Sequence, residues 1–131
     1  LGYMIGYKDL VAEIDKESPT YNISVLHTEC ALFALEHTEV FAAQAKDLRE
    51  QRTRLLKELA ALPGVTPFPS EANMILARVP DAAKTFDGLK AHGVLIKNIS
   101  KMHPLLANCL RLTVGTAAEN DQLLAALKVS L

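Results

Sequence analysis

The sequence predicts an α+β fold, in which a small mixed sheet packs against helices to form an α/β sandwich. From Ser24 to Leu62 the chain has no glycine or proline, which favours helix. After Pro63 and Gly64 the apolar pattern runs strand, strand, helix, strand, strand, helix. With 131 residues, half of them hydrophobic, the chain is long enough to bury a substantial core.

The composition argues against nucleic-acid and membrane partners. The formal net charge is −1 with acidic and basic residues interspersed, so no basic face is expected. No apolar run approaches the roughly 20 residues that span a bilayer. Cys30 and Cys109 are isolated thiols, which we expect to be buried and reduced in a cytoplasmic protein.

The N-terminal residues predict a strand end followed by a short helix. Leu1 to Ile5 is typical of a strand and does not start with Met, so we expect a piece of a longer protein. No basic region precedes Leu1, so no signal peptide is expected. Apolar residues between Tyr7 and Lys16 have helical spacing. Ser18-Pro19-Thr20 ends this helix, and Asn22 or Ser24 is placed to cap the next.

The long helical stretch is expected to break near His37, because Thr38 is placed to cap a new start. Its second part carries an apolar stripe that should face the core. The stripe consists of Phe41, Leu48, Leu55, Leu56, Leu59 and Leu62. The charged residues around it are expected to form a solvated surface. These residues are Lys46, Arg49, Glu50, Arg52, Arg54 and Lys57.

The second half predicts three strands and a helix before its last strand. Val65 to Phe68 is predicted as an edge strand, because Pro67 has no N–H to donate. Asn73 to Val79 is predicted as a buried strand. Asp81 should cap a helix that ends at His92-Gly93, and Val94 to Ile96 should form the next strand.

The stretch from Asn108 to Thr116 carries the clearest candidate for chemistry. Leucine and valine alternate with Arg111 and Thr113, which predicts a half-buried strand with Arg111 on its less apolar face. Thr116 and Glu119 then form a capping box that starts the last helix. Arg111 is either a surface charge or a site that binds a carboxylate or phosphate through two parallel hydrogen bonds.

Other common catalytic patterns are missing from the sequence. There is no glycine-rich phosphate loop, and the four histidines lack metal-ligand spacing. His27 and Cys30 lie three residues apart, but no second ligand pair follows them, so no metal site is predicted.

Several short motifs occur in a fixed order along the chain. They are Leu1-Gly2-Tyr3, Tyr21-Asn22, Leu62-Pro63-Gly64-Val65, Pro69-Ser70-x-Ala72-Asn73, Gly93-Val94-Leu95-Ile96-Lys97-Asn98 and the Arg111 strand. Together they resemble the C-terminal part of histidinol-phosphate aminotransferases, which are pyridoxal-phosphate (PLP) enzymes of fold type I. The resemblance implies that residues 1–20 are a remnant of the large PLP-binding domain, 21–37 a connecting helix, and 38–131 the small C-terminal domain.

The resemblance also implies roles for individual residues. Arg111 and Lys97 would bind the anionic end of the substrate, although the family usually has arginine where this chain has Lys97. The Schiff-base lysine and the arginine that binds the PLP phosphate would lie upstream of Leu1. No catalytic, cofactor-binding or metal-binding residue is therefore expected in this chain, which should be inactive alone.

The implied reaction transfers an amino group from histidinol phosphate to 2-oxoglutarate in histidine biosynthesis, with PLP as cofactor. The intact protein would be a cytoplasmic homodimer. Three alternatives stay open at this point. The chain is part of another class I/II aminotransferase or a threonine-phosphate decarboxylase, or it is a non-catalytic α+β module that binds an anion or amino acid, or it is a scaffold that has lost catalysis.

Overall fold

The structure is a computed structural model that describes residues 2, 4–19 and 23–131. The chain divides into two compact units, Leu1–Ala43 and Gln44–Leu131. The predicted motif residues Leu1, Tyr3 and Thr20 to Asn22 lie outside the described residues.

The first unit contains helix α1 (Lys8–Glu17), helix α2 (Val25–Glu36) and the start of helix α3 (Thr38–Ala60). Ser24 caps α2, since its hydroxyl oxygen accepts a hydrogen bond from the backbone N–H of His27. The predicted break at His37 is confirmed, because α2 ends at Glu36 and α3 begins at Thr38. No residue of α1 or α2 is buried.

Three predictions for the first unit are wrong. Met4 and Ile5 do not form a strand, because no described residue of this unit offers a strand to pair with. Cys30 is an exposed free thiol, whereas Cys109 in the second unit is buried as predicted. Phe41 is also exposed, so the apolar stripe of α3 contacts the core only beyond it.

The second unit is built around a four-stranded sheet. Its strands are β1 (Thr66–Pro67), β2 (Met74–Arg78), β3 (Lys97–Asn98) and β4 (Cys109–Thr113). Their order across the sheet is β1-β2-β4-β3, and every neighbouring pair is antiparallel. The prediction of a mixed sheet is wrong, because β4 lies between β2 and β3, which run in the same direction, and β2 lies between β1 and β4, which run in the other.

The core lies on one face of this sheet. Helix α3, helix α4 (Ala82–Ala91) and helix α5 (Ala117–Ser130) contribute buried leucines that contact the inward side chains of β2 and β4. The largest buried residues of this core are Leu55, Leu59, Ile75, Leu89, Leu110, Leu112 and Leu127. The fold is therefore the α+β sandwich that the sequence predicts, with the helices on one side of the sheet.

The strand predicted at Val94 to Ile96 lies further along the chain. Gly93 has φ +77° and ends α4, after which Val94 donates its backbone N–H to Leu89 O. Val94 and Ile96 pack against the core without joining the ladder. Because the chain must first leave the end of α4, it reaches β4 only at Lys97 and Asn98.

Candidate functional site

Arg111 lies in the middle of β4 with its neighbours on the opposite face. Leu110 and Leu112 are buried against the helices, whereas Arg111 and Thr113 are exposed. The alternation predicted from the sequence is confirmed. We call the face of the sheet that bears Arg111 the outer face, since the core helices pack on the other one.

Lys97 is the direct cross-strand partner of Arg111. Residues directly opposite each other in a ladder share a face, with Cβ atoms about 5 Å apart. Both side chains are exposed, and neither forms a salt bridge within the described part of the chain. Like charges in this position destabilise a sheet, so the pair favours an anion that bridges both groups.

A third cation of the outer face, Arg78, is already bonded to the protein. Arg78 is the partner of Cys109, which precedes Arg111 by two residues in β4 and so shares its face of the sheet. Its guanidinium donates to Ala107 O at 3.1 Å and to Leu105 O at 2.7 Å, and lies 5.5 Å from the centre of the Phe68 ring. Arg78 therefore holds the loop before β4, whereas Lys97 and Arg111 have no such partner among the described residues and are available to a ligand.

Buried Asn120 fixes the junction at which β4 runs into α5. Its side-chain oxygen accepts from Gly115 N at 3.0 Å, and its amide nitrogen donates to Gly115 O at 3.0 Å. The same nitrogen donates to Gln51 Oε1 of α3 at 3.2 Å. With 1% of its surface exposed, Asn120 ties the end of the Arg111 strand to two helices.

The predicted capping box at Thr116 and Glu119 is present and completes this junction. The Glu119 carboxylate accepts from Thr116 N at 2.7 Å and from the Thr116 hydroxyl at 2.8 Å. These hydrogen bonds, the backbone one first, lower the pKa of Glu119 below its usual value. Glu119 is therefore ionised at neutral pH, where it satisfies the N-terminus of α5.

Two other charged or polar side chains were not singled out from the sequence. Arg78 closes the loop before β4, and Asn98 connects β3 to α4 through its bond to Ala82 O. A signal for Asn98 was available, because it follows Lys97 directly in the Gly93 to Asn98 motif. Arg78 gives no such signal, since its acceptors lie far along the chain.

A cavity of about 550 Å³ beside the junction of β4 and α5 does not match the chemistry of the cation pair. It opens between α3 and the start of α5 and is bordered by Asp47, Glu50 and Glu119. These carboxylates would repel an anionic ligand.

The described residues contain no group of three or more histidine, cysteine, aspartate or glutamate side chains that could hold a metal ion. No helix in the described ranges is long and apolar enough to cross a membrane.

The sequence of this chain is similar to sequences of known aminotransferases. The family model for aminotransferase class I and II matches residues 1–127. A histidinol-phosphate aminotransferase of Polaromonas naphthalenivorans is 72% identical over 131 residues, which is all of this chain and 36% of that protein. The chain thus spans about a third of the length of the curated relatives it matches.

Two solved structures share the fold. The histidinol-phosphate aminotransferase from Clostridium acetobutylicum superimposes with a TM-score of 0.83 at 22% identity, over 93% of this chain and 37% of the other. The histidinol-phosphate aminotransferase from Sinorhizobium meliloti, solved in complex with pyridoxal-5'-phosphate, gives a TM-score of 0.74 at 23% identity, over 93% of this chain and 34% of the other.

Proposed function

Because the chain belongs to the aminotransferase class I and II family, we propose that it is the C-terminal, substrate-side domain of a histidinol-phosphate aminotransferase. The proposed reaction transfers the amino group of histidinol phosphate to 2-oxoglutarate. The 72% identity to a curated enzyme of that name supports this substrate pair. The intact protein would use PLP, the ligand of the Sinorhizobium meliloti structure.

One observation carries the proposal: Lys97 and Arg111 face each other on the exposed outer face of the sheet. In this proposal Arg111 binds the anionic end of either substrate through its two parallel N–H groups. Lys97 adds a compact charge from the neighbouring strand. Holding the anionic end orients the amino or oxo carbon toward the reacting groups, which lowers the entropic cost of the reaction.

The residues of this chain fit substrate binding better than attachment of PLP. Bound PLP supplies an electron sink for the carbon that loses its proton. An enzyme lysine that reacts with PLP is activated by burial or by neighbouring cations. All nine lysines of this chain are exposed, and Lys97, which lies opposite a second cation at Arg111, is assigned in this proposal to the substrate. We therefore propose that the PLP-bearing lysine and the PLP phosphate site lie upstream of Leu1.

The proposal extends to the organisation of the intact protein. Residues 1–20 would belong to the large PLP-binding domain, 21–37 would connect the domains, and 38–131 would form the small domain. We also propose a homodimer in the cytoplasm, where thiols such as that of Cys109 stay reduced. Light scattering of the intact protein measures the oligomeric state directly.

Substitution of Arg111 tests the role of the pair. In the intact enzyme, Arg111→Ala should raise KM for both histidinol phosphate and 2-oxoglutarate, with a loss of roughly 2–5 kcal/mol of binding free energy. PLP should still bind with its normal absorbance, because Arg111 is assigned to the substrate. Steady-state kinetics of both half-reactions measure the change.

Lys97 and Arg49 supply the matched comparisons. Lys97→Arg should be tolerated and should tighten a phosphorylated substrate, because the guanidinium adds a second parallel hydrogen bond. Arg49→Ala, a change on the exposed surface of α3, should leave both KM values unaltered. Unchanged half-reactions in Arg111→Ala would show that Arg111 is only a surface charge. Release of carbon dioxide from threonine phosphate would point instead to the decarboxylase alternative.

The placement of the PLP lysine is tested on the 131-residue chain itself. The chain is mixed with PLP, reduced with borohydride and mapped by mass spectrometry. Weak labelling spread over several exposed lysines and no amino transfer are expected. A stoichiometric label on a single lysine, together with turnover, would contradict the proposed placement.

A further inference from the structure

We propose that Asn98 is a positioning residue that holds Lys97 opposite Arg111. The proposal rests on the proposed function, because it assigns Asn98 a role through Lys97. Asn98 and Lys97 are the only two residues of β3, and within the described chain β3 pairs with β4 alone. The place of Lys97 therefore depends on what holds this short edge strand.

The ladder by itself gives β3 little support. Lys97 pairs with Arg111 and Asn98 pairs with Leu110, and the next contact is the hydrogen bond from Ile99 N to Cys109 O at 3.2 Å. Val94 to Ile96, which precede the strand, take no part in the ladder. The repulsion between the two cations acts on this same pairing and favours separation of the strands.

The side chain of Asn98 supplies the missing support. Successive side chains of a strand point to opposite faces, so Asn98 projects from the face opposite to Lys97. Its amide nitrogen donates to Ala82 O at 3.2 Å, and its oxygen accepts from Ser100 N at 3.0 Å. Ala82 is the buried first residue of α4, whose helix packs on the core. Asn98 thereby connects β3 to a rigid helix on one side and to the following turn on the other.

Asn108 provides a comparison for Asn98, because its side chain is hydrogen-bonded to the N–H of Ala82 rather than to its carbonyl. Its side-chain oxygen accepts from Ala82 N at 3.3 Å, and its backbone has φ +58°. Asn108 therefore supports the start of α4 without belonging to β3. Replacement by glycine removes this hydrogen bond and suits the positive φ.

A double-mutant cycle in the intact aminotransferase tests the proposal. Lys97→Ala, Asn98→Ala and the double variant are compared by KM and kcat for histidinol phosphate. Asn98→Ala should raise KM about threefold to tenfold, the effect of losing one or two neutral hydrogen bonds, with kcat changed less than about twofold. In the Lys97→Ala background, Asn98→Ala should raise KM no further, since Asn98 acts through Lys97.

The control variant Asn108→Gly should lower the melting temperature slightly and leave KM unchanged. If Asn98→Ala does not fold, Asn98→Ser takes its place in the cycle, because its hydroxyl can still accept from Ser100. The role of Asn98 would be overturned if the rises in KM caused by Lys97→Ala and Asn98→Ala multiplied in the double variant. It would also be overturned if Asn108→Gly raised KM as much as Asn98→Ala does. An unchanged KM in Lys97→Ala would instead overturn the proposed role of Lys97 in substrate binding.

Discussion

Arg52 is a charged residue on the core-facing side of α3. It follows Leu48 by four residues and precedes Leu55 by three, so it lies on the stripe of buried leucines rather than among the solvated charges. Only 8% of its surface is exposed. The spacing was readable in the sequence, but a charged residue is almost never buried unless it is paired, and its partners could not be read from the sequence.

The partners of Arg52 lie in the turn before β2. Its guanidinium donates to Ala72 O at 3.2 Å and to Glu71 Oε2 at 2.7 Å. The Glu71 side chain is 97% exposed, so water screens the ion pair strongly at that end. The bond to the backbone and the packing of the buried stem should therefore contribute more to stability than the ion pair.

Because Arg52 is buried and Glu71 is exposed, substitutions of the two residues should lower the free energy of unfolding by different amounts. Arg52→Met should lower the free energy of unfolding by roughly 1–3 kcal/mol, because the hydrogen bonds that its buried guanidinium donates to Ala72 O and Glu71 are lost. Glu71→Gln should cost less than about 1 kcal/mol. Arg49→Met, an exposed neighbour on α3, serves as the control. Urea unfolding measures all three, and equal losses at Arg52 and Glu71 would show that the ion pair dominates.

Among the elements, α5 has the best-defined start. Thr116 and Glu119 exchange the reciprocal bonds of a capping box within four residues of sequence, which is why the sequence alone predicted it. The same holds for the strand around Arg111, whose alternation is a local pattern. The predicted strand at Val94 to Ile96 failed because its place depends on where β4 lies, and β4 comes later in the chain.

The capping box predicts a pH dependence of stability. The pKa of Glu119 is lower in the folded chain than in the unfolded one, so its contribution is present above the ordinary glutamate pKa and is lost as the pH falls through the lowered value. Glu119→Gln should therefore unfold more easily than the parent at neutral pH. The difference should shrink progressively below about pH 4.3.

Thermal unfolding of both proteins across this acidic range measures the effect. Asp87→Asn, which changes an exposed carboxylate of α4, provides the control and should differ little from the parent at any pH. A constant gap between Glu119→Gln and the parent down to the most acidic point would contradict a stabilising contribution from the ionised form.

At the scale of the whole molecule, the buried residues that the structure describes all lie in one of the two units. Those that are hydrophobic lie between Leu55 and Leu127, within the unit Gln44–Leu131. Eight of the twelve residues of helix α2 are apolar and they are not confined to one face, yet none of its residues is buried in this chain. A helix of that composition is normally enclosed by other parts of a protein.

The distribution of burial predicts which part folds by itself. Residues 38–131, which keep α3 whole, should unfold cooperatively with a melting temperature within about 4 °C of the 131-residue chain, a difference under about 1 kcal/mol. Calorimetry of the two chains tests this. Hydrogen exchange on the longer chain should show slow amides in β2 and β4 and fast ones in α1. Loss of cooperative unfolding in 38–131 would contradict the prediction.

The candidate site shows most clearly where sequence reasoning stops. Arg111 and Lys97 were each selected from local motifs, but their pairing across β4 and β3 depends on a ladder between distant residues. The bond that Asn98 donates to Ala82 O and the bond that Asn108 accepts from Ala82 N are likewise long-range. The sequence was sufficient to select Arg111 and Lys97, because each lies in a local motif. The hydrogen bonds that position these residues join distant parts of the chain and could be found only in the tertiary structure.

The two-residue outer strands have a consequence for how copies of this chain would associate. At one edge of the sheet Pro67 of β1 lacks an N–H, and at the other edge β3 offers only Lys97 and Asn98. Short edges that carry proline and lysine resist pairing with another strand, which protects a protein against fibrillar aggregation. The surface left for self-association of this chain is therefore the set of exposed apolar side chains of α2, among them Leu26 and Phe33.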